Sequence, residues 1–457
     1  MQKFLRSFLI LALAINGPFN SKAQTISAGA SHSIIVCPDG QVQLFGSNDY
    51  GQLGLGEDVE SPTPTILPGM TNVVAAAACG DHSIFIKSDG TVWCTGDNSY
   101  GQLGDGTTND SFLPIQANGI NNAISASGVY QSLVLLDDGT VMAFGENGNG
   151  QCGVGTEANV LVPTLIPNFD NVAAVSAGYY YSLALKNDGT VWAWGSNTLG
   201  NLGIGLDMAS EMTSPVMIPE LSNIVAVDAG GSVSLALDSN GQVWVWGQNN
   251  NNQIGTGDGL DHPTPILHPY LSNIVSVSAG GQFAVAVDAN GFAKSWGGNW
   301  VGQLGVGNID NQSIPTEVQG LSNIAGVIAG HDTHTLFVQN DGSIWACGFA
   351  TQGVGLPEFA MISTPVPVEN ICAPAAIETY TTLDVSMYPN PFQDFIQLES
   401  RSEEINYSIF NSTGELMSEG TLSGFNSKVN TSSWPAGLYT IHLRSEHEDI
   451  YGKLIRY

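Results

Sequence analysis

A phrase of about fifty residues recurs seven times along this chain, and that recurrence restricts its possible folds more than any other property. Turn glycines fall at Gly40, Gly90, Gly139, Gly189, Gly241, Gly291 and Gly342, with steps of 50, 49, 50, 52, 50 and 51. Asparagines at Asn72, Asn122, Asn171, Asn223, Asn273, Asn323 and Asn370 keep nearly the same period. An aromatic-glycine pair follows most turns: Phe45-Gly46, Phe144-Gly145, Trp194-Gly195, Trp246-Gly247 and Trp296-Gly297, with Thr95-Gly96 and Cys347-Gly348 as variants. A G-Q-L-G phrase begins at Gly51, Gly101 and Gly302, with relatives beginning at Gly150, Gly200 and Asn252. Each repeat of this kind supplies one supersecondary unit that cannot bury its faces alone, so neighbours must stack.

Within a unit the pattern is that of short strands. Leu183-Ala184-Leu185 runs into the Asn187-Asp188-Gly189 turn, and Thr190-Val191-Trp192-Ala193-Trp194 alternates beyond it. Asp-Gly between alternating apolar runs is a hairpin signal, because both residues tolerate positive φ. Pro114, Pro163, Pro215 and Pro315 suit an edge strand, where a missing amide donor costs no ladder bond. Seven such sheets predict an all-β chain with a seven-bladed β-propeller over residues 24–370. The pattern of G-x-x-H-S (Gly29 to Ser33, and again at His82-Ser83), D-G-x-v-w-x-w-G and G-Q-L-G resembles the regulator of chromosome condensation repeat family. In the seventh copy Gln352-Gly353-Val354-Gly355 replaces the longer phrase, marking a short blade or the ring closure. Closure is left open between the strand at Thr25–Ser27 and one following Asn370.

The ends of the chain are different. Residues 1–23 carry Lys3 and Arg6, then an apolar run from Phe8 to Ile15, then Ser21 and Ala23, the pattern of a signal peptide cleaved between Ala23 and Gln24. That run is about half the roughly 20 residues a membrane span requires, and no other segment comes closer, so the mature chain is expected to have no transmembrane segment. After a linker at 371–384, residues 385–457 alternate in short strands that predict a small β-sandwich. Tyr388-Pro389-Asn390-Pro391-Phe392, then Gly437 and Tyr439, then a basic last strand with Lys453, resemble the C-terminal sorting domain of the Por (type IX) secretion system. The resemblance implies the type IX machinery as a partner, a route through the periplasm, and a secreted or outer cell-surface destination.

Charge narrows the remaining partners. The chain carries 41 acidic and 11 basic residues, a net charge of −30. Residues 24–384 hold 41 − 9 = 32 of the acids but only 11 − 3 − 5 = 3 bases, Lys87, Lys186 and Lys294, and no arginine. Phosphate binding needs clustered Lys and Arg, so nucleic acid is excluded as a partner. Six cysteines in an exported chain meet an oxidising compartment, where lone core thiols or local bridges are expected.

Catalytic motifs are missing, with no H-E-x-x-H, G-x-S-x-G or P-loop lysine, and the turn aspartates simply follow the repeat. Acidic loops at Asp105–Asp110 and Asp258–Asp261 lack EF-hand ligand spacing. No enzyme activity, cofactor or metal is expected. The variable position of G-x-x-H, occupied by His32, His82, Gln131, Tyr181, Val233, Phe283 and His334, reads as hydrogen bonding near the tunnel. Trp93, Trp192, Trp194, Trp244, Trp246, Trp296 and Trp345 read as core. Loop aromatics are the binding candidates: Tyr50, Tyr100, Trp300 and the cluster Tyr179-Tyr180-Tyr181, because such rings give rigid contact area with a polar tip. The expectation is a non-enzymatic binding propeller for an extracellular protein or glycan. An enzyme inhibitor resembling the β-lactamase-inhibiting propellers is the alternative, with a glycan-acting enzyme third.

Overall fold

The computed structural model describes residues 25–206, 209–357, 360–372, 385–388, 395–400, 405–411, 415–422, 427–435, 437–444 and 449–456. They divide into two compact units, one ending at Cys372 and the other beginning at Ala373. The first is a seven-bladed β-propeller. Its first blade comprises β1 (Thr25–Ala28), β2 (His32–Val36), β3 (Val42–Gly46) and β4 (Ser61–Ile66), paired antiparallel in that order. Six further four-stranded blades occupy 73–116, 123–165, 172–217, 224–267, 274–317 and 324–367.

The repeat markers are turn chemistry. Gly40 has φ 77° and Gly189 φ 81°, so the hairpin between the second and third strands needs residues free of a Cβ penalty. A Cβ on Gly51 would lie 2.8 Å from Phe112 Cα, because the G-Q-L-G loop presses on the outermost strand of the next blade. The first strand of each blade faces the tunnel, and these strands pack in sequence around the ring, with the seventh contacting the first. They are rich in Ala, Ser and Val, such as Val73–Ala78 and Ile274–Ala279, as convergence on an axis demands. The prolines lie on the outermost strands, where they were expected.

Ring closure uses no exchanged strand. Thr25–Ala28 is the inner strand of blade 1, and blade 7 is complete, ending in the outer strand Met361–Pro367. Its divergent segment forms a short π-helical turn, Ala350–Val354, packed against blade 1. The seam is fastened by a disulfide between Cys37 and Cys372, 335 residues apart. Gln43 adds hydrogen bonds from its amide to the Asn370 carbonyl and from the Cys372 amide to its own oxygen, at 3.1 and 2.8 Å. Lone core thiols or local bridges were expected; the one bridge seen is long-range because the ends of a closed ring are neighbours. Cys79, Cys94, Cys152 and Cys347 are buried free thiols.

Among the tryptophans, Trp194, Trp246 and Trp296 are fully buried and donate Nε1–H to carbonyls of the preceding blade, at Gln151, Asn201 and Gln253. Trp93, Trp192, Trp244 and Trp345 are only half-buried, which corrects the core expectation for them. Trp192 and Trp244 lie two residues before Trp194 and Trp246 on the same strand face but nearer the hairpin turn, and Phe169 packs edge-on against both Trp192 and Trp194. Lys87 lies 4.4 Å over the Trp93 ring, and Lys186 4.7 Å over Trp192.

The second unit has one three-stranded and one four-stranded antiparallel sheet. They share a core of Ile396, Leu398, Ile409, Val429, Trp434, Tyr439, Ile441, Leu443 and Leu454, making a small sandwich. Tyr439 is buried and its hydroxyl donates to the Pro435 carbonyl. Gly437 and Lys453 pair within the long final hairpin, with Arg456 and Thr440 respectively. Tyr388 ends the first strand, while Pro389, Asn390, Pro391 and Phe392 lie outside the described residues, as do Ala23 and Gln24.

Candidate functional site

Two kinds of loop meet at one end of the propeller. In each blade the link from first to second strand and the long link from third to fourth strand emerge at the same end, since the strands alternate in direction. The hairpin turns holding Gly40 and its equivalents lie at the other end. Lys87, Lys186 and Lys294 all flank hairpin turns, so the loop end carries none of the three bases of residues 24–384.

Just inside that end runs a belt of interblade hydrogen bonds made by the variable position. His32 Nε2 lies 2.9 Å from Ser83 Oγ, His82 Nε2 2.8 Å from Ser132 Oγ, and His334 Nε2 2.9 Å from Ser33 Oγ across the seam. Gln131 reaches Ser182 at 3.3 Å, and Tyr181 lies 2.8 Å from Ser234 Oγ while donating to the Val233 carbonyl. Val233 and Phe283 leave the belt open at blades 5 and 6. The serines spend their own protons on carbonyls: Ser83 donates to Gln52 O at 2.7 Å and Ser132 to Gln102 O at 2.8 Å. Each histidine must therefore donate from Nε2, which leaves Nδ1 without a proton, and His32, His82 and His334 Nδ1 are indeed buried without partners. Burial pushes their pKa values down, to about 3 for His32 and His334 and about 4 for His82, so they are uncharged at neutral pH. These groups fasten blades together, as the hydrogen-bonding reading expects.

The aromatic candidates separate along the strand. Tyr181 is fully buried in the belt, which removes it from any binding surface. Tyr180, one residue earlier, is 44% exposed, and Tyr179 crosses the tunnel mouth from blade 4 to blade 7. Its hydroxyl meets the Asp332 carboxylate and lies 3.1 Å from the His331 carbonyl oxygen. Tyr130 of blade 3 stacks on Tyr180 with centroids 5.7 Å apart, and Tyr179 sits 6.0 Å from Tyr130 and 6.3 Å from the His331 ring. Tyr100 is exposed and close enough to raise the Tyr180 hydroxyl's pKa, after burial and Glu146. Tyr50 and Trp300 are exposed at the same end but stand apart, on blades 1 and 6.

The mouth is acidic as well as aromatic. Burial pushes the Asp81 carboxyl up to about 6, with the neighbouring charges of Asp97, Asp332 and Asp49 adding to the shift. Burial also raises Glu146, and it pushes the Tyr130 hydroxyl up to about 12. Beside Tyr179 and Tyr180 opens a pocket of about 430 Å³ that includes Ser196, Asn201, Gln248 and Gln282.

Tyr130, His331, Asp332 and Asn201 were missed by sequence reasoning. Tyr130 and Asp332 had a signal, since they fill the same first loop as Tyr179 and Tyr180. Also missed were Asn48, Asn98, Asn147, Asn249 and Asn299, each following the repeat glycine. They are buried, and their Oδ1 atoms accept the amide of the G-Q-L-G leucine or its equivalent, as Asn48 does from Leu53 at 2.8 Å. Their regular spacing was there to be read.

Comparison with known proteins agrees with this architecture. A model of the RCC1-like domain matches residues 14–286, one of the regulator of chromosome condensation (RCC1) repeat matches residues 295–338, and a secretion system C-terminal sorting domain matches residues 386–456. The crystal structure of Prp20p from Saccharomyces cerevisiae, whose title adds its binding properties to Gsp1p and histones, is 20% identical with a TM-score of 0.65, over 78% of this chain and 90% of that one. Human WBSCR16 is 22% identical with a TM-score of 0.62, over 69% of this chain and 86% of that one. A curated relative, the protein RCC2 homolog of Danio rerio, is 40% identical over 52 residues, 11% of this chain. The match spans only 10% of that relative's length.

Proposed function

This chain belongs to the RCC1-like domain family, matched over residues 14–286, and we propose that it is a non-enzymatic binding propeller that takes an extracellular ligand at its aromatic tunnel mouth. Its sorting domain implies export by the type IX secretion system, to the cell surface or beyond. The observation that carries the binding reading is the convergence of Tyr100, Tyr130, Tyr179 and Tyr180, from three successive blades, at one end of the ring. Three of these rings are in mutual contact, so they are held before any ligand arrives and lose little freedom on binding.

The chemistry nearby favours binding over catalysis. The histidines that would serve as proton carriers are used, uncharged, as fasteners between blades. With only lysines at the far end, the mouth repels anions and leaves neutral or cationic surfaces as ligands.

The test is retention of ligands from the organism's surroundings on immobilised mature protein, compared with a Tyr130→Ala/Tyr180→Ala double variant of unchanged thermal stability. Specific retention lost in the variant supports the reading. Retention that ignores the mouth, or turnover of any retained molecule, overturns it.

A further inference from the structure

Blade 4 departs from the repeat at a place where five other long loops agree. In five loops a glutamine side chain bends back to accept the amide two residues earlier: Gln52 from Tyr50 at 3.0 Å, Gln102 from Tyr100 at 2.9 Å, Gln151 from Asn149 at 2.9 Å, Gln253 from Asn251 at 2.7 Å and Gln303 from Val301 at 3.0 Å. Blade 4 has Asn201, one methylene shorter, in a G-N-L-G phrase. Asn201 is only 5% exposed, and its Oδ1 has no partner. A buried amide oxygen left unpaired is unfavourable unless something supplies a donor. The residue lines the 430 Å³ pocket, whose volume falls within the roughly 300–1,000 Å³ of small-ligand sites.

The lining has a distinctive composition. Tyr179 and Tyr180 form an aromatic wall, Tyr130 backs Tyr180, and Tyr179 is pinned by Asp332. The remaining polar contributors are all uncharged amides and hydroxyls, among them Asn201, Ser196, Gln248 and Gln282. An aromatic plane pairs with the C–H face of a pyranose, and amides and hydroxyls both donate to and accept from its hydroxyls. The lining carries no base for an anionic group and no carboxylate for a cationic one.

We propose that this pocket is a binding site for a neutral saccharide, with a sugar ring against Tyr180 and its hydroxyls on the amides around Asn201. This assignment rests on the binding-propeller reading and names the ligand class for it. Asn201 opens the subsite by withholding the side-chain length that locks the other loops. Tyr180 holds the ring, and Gln248 and Gln282 line the same pocket.

The experiment is titration of the mature full-length protein with cellotetraose, xylotetraose, mannotetraose and chitotetraose, followed by calorimetry and saturation-transfer NMR. Polygalacturonate oligomers and trilysine serve as anionic and cationic controls. Binding of at least one neutral oligosaccharide, with neither control bound, is expected. Tyr180→Ala and Asn201→Gln should each weaken it roughly tenfold or more. Asn201→Gln restores the residue found in five other loops, so its fold is safe and its loss of binding reports the pocket. Neutral-sugar binding that survives both variants overturns the pocket while leaving the binding propeller standing. Trilysine bound in place of the sugars overturns the saccharide class and again spares the broader reading. If no probe binds and the immobilised protein retains nothing, both readings fall together.

Discussion

Blades 2 and 4 share one four-stranded plan and differ in how their long loops are closed. In blade 2, His82 reaches Ser132 of blade 3, and Gln102 closes its own loop on the Tyr100 amide. In blade 4 the same two positions hold Tyr181, a longer side chain, and Asn201, a shorter one. Tyr181 still reaches the next blade through Ser234 and the Val233 carbonyl, so the fastening survives the exchange. Asn201 does not reach the amide two residues back, and a pocket opens beside it. Blade 4 thus keeps its cement while its long loop, 15 positions from Gly200 to Pro215 against 13 from Gly101 to Pro114, leaves a pocket open beside Asn201 with no change in strand count.

The comparison can be broken most forcefully at Tyr181. Replacing this buried ring with alanine should cost about 3–5 kcal/mol in denaturant unfolding, as for other large core aromatics. An effect as small as that of Tyr180→Ala would show that Tyr181 is not cement. Next comes His82→Gln, which gives blade 2 the residue blade 3 uses at Gln131. The folded pKa of His82 is lowered to about 4, so its neutral form is fully tolerated above about 6.5 and the fold loses stability as pH falls from there toward 4. The glutamine variant should keep neutral-pH stability and lose less on acidification, up to about 3 kcal/mol less by the usual 1.4 kcal/mol per pH unit. Thermal scans from pH 7 to 4 decide this, and parallel acid limbs would refute it.

Asp81, one residue earlier, has the opposite sign. Its folded pKa is raised to about 6, so its ionisation weakens the fold as pH rises from about 3.8 through 6, and the loss persists above. Asp81→Asn should thus raise the melting temperature at pH 8 and have little effect at pH 4. Equal shifts at both pH values would remove the charge cluster as the cause. The smallest expected effect is that of Tyr180→Ala on stability, within about 0.5 kcal/mol as for a surface change. A larger loss would move Tyr180 from the binding surface into the structural belt.

Legibility in the sequence followed the physical cause of each feature. Gly40 and its equivalents announced the blades because a left-handed turn admits few residues, and period alone then gave the ring. The belt was harder to see, since His, Gln and Tyr share a reach and a donor but no chemical class. Its more constant partner was visible all along as Ser33, Ser83, Ser132, Ser182 and Ser234. Tyr179, Tyr180 and Tyr181 read as one cluster because they are consecutive, yet the strand that begins at Tyr181 turns that ring inward. Tyr130 and Asp332 escaped notice because they meet Tyr180 and Tyr179 only through curvature of the ring across blades 3, 4 and 7. The pocket depended on an absence, one methylene at Asn201, which looks conservative in a list of repeats.

The bond between Cys37 and Cys372 has a meaning beyond the stability of the seam. It makes the propeller a covalent loop with the sorting domain attached outside it. A protease that cuts once anywhere between residues 38 and 371 yields a nicked molecule whose two pieces stay joined. Cleavage beyond Cys372 releases the tail and leaves the loop whole. Such a chain survives its first cut as one covalent molecule.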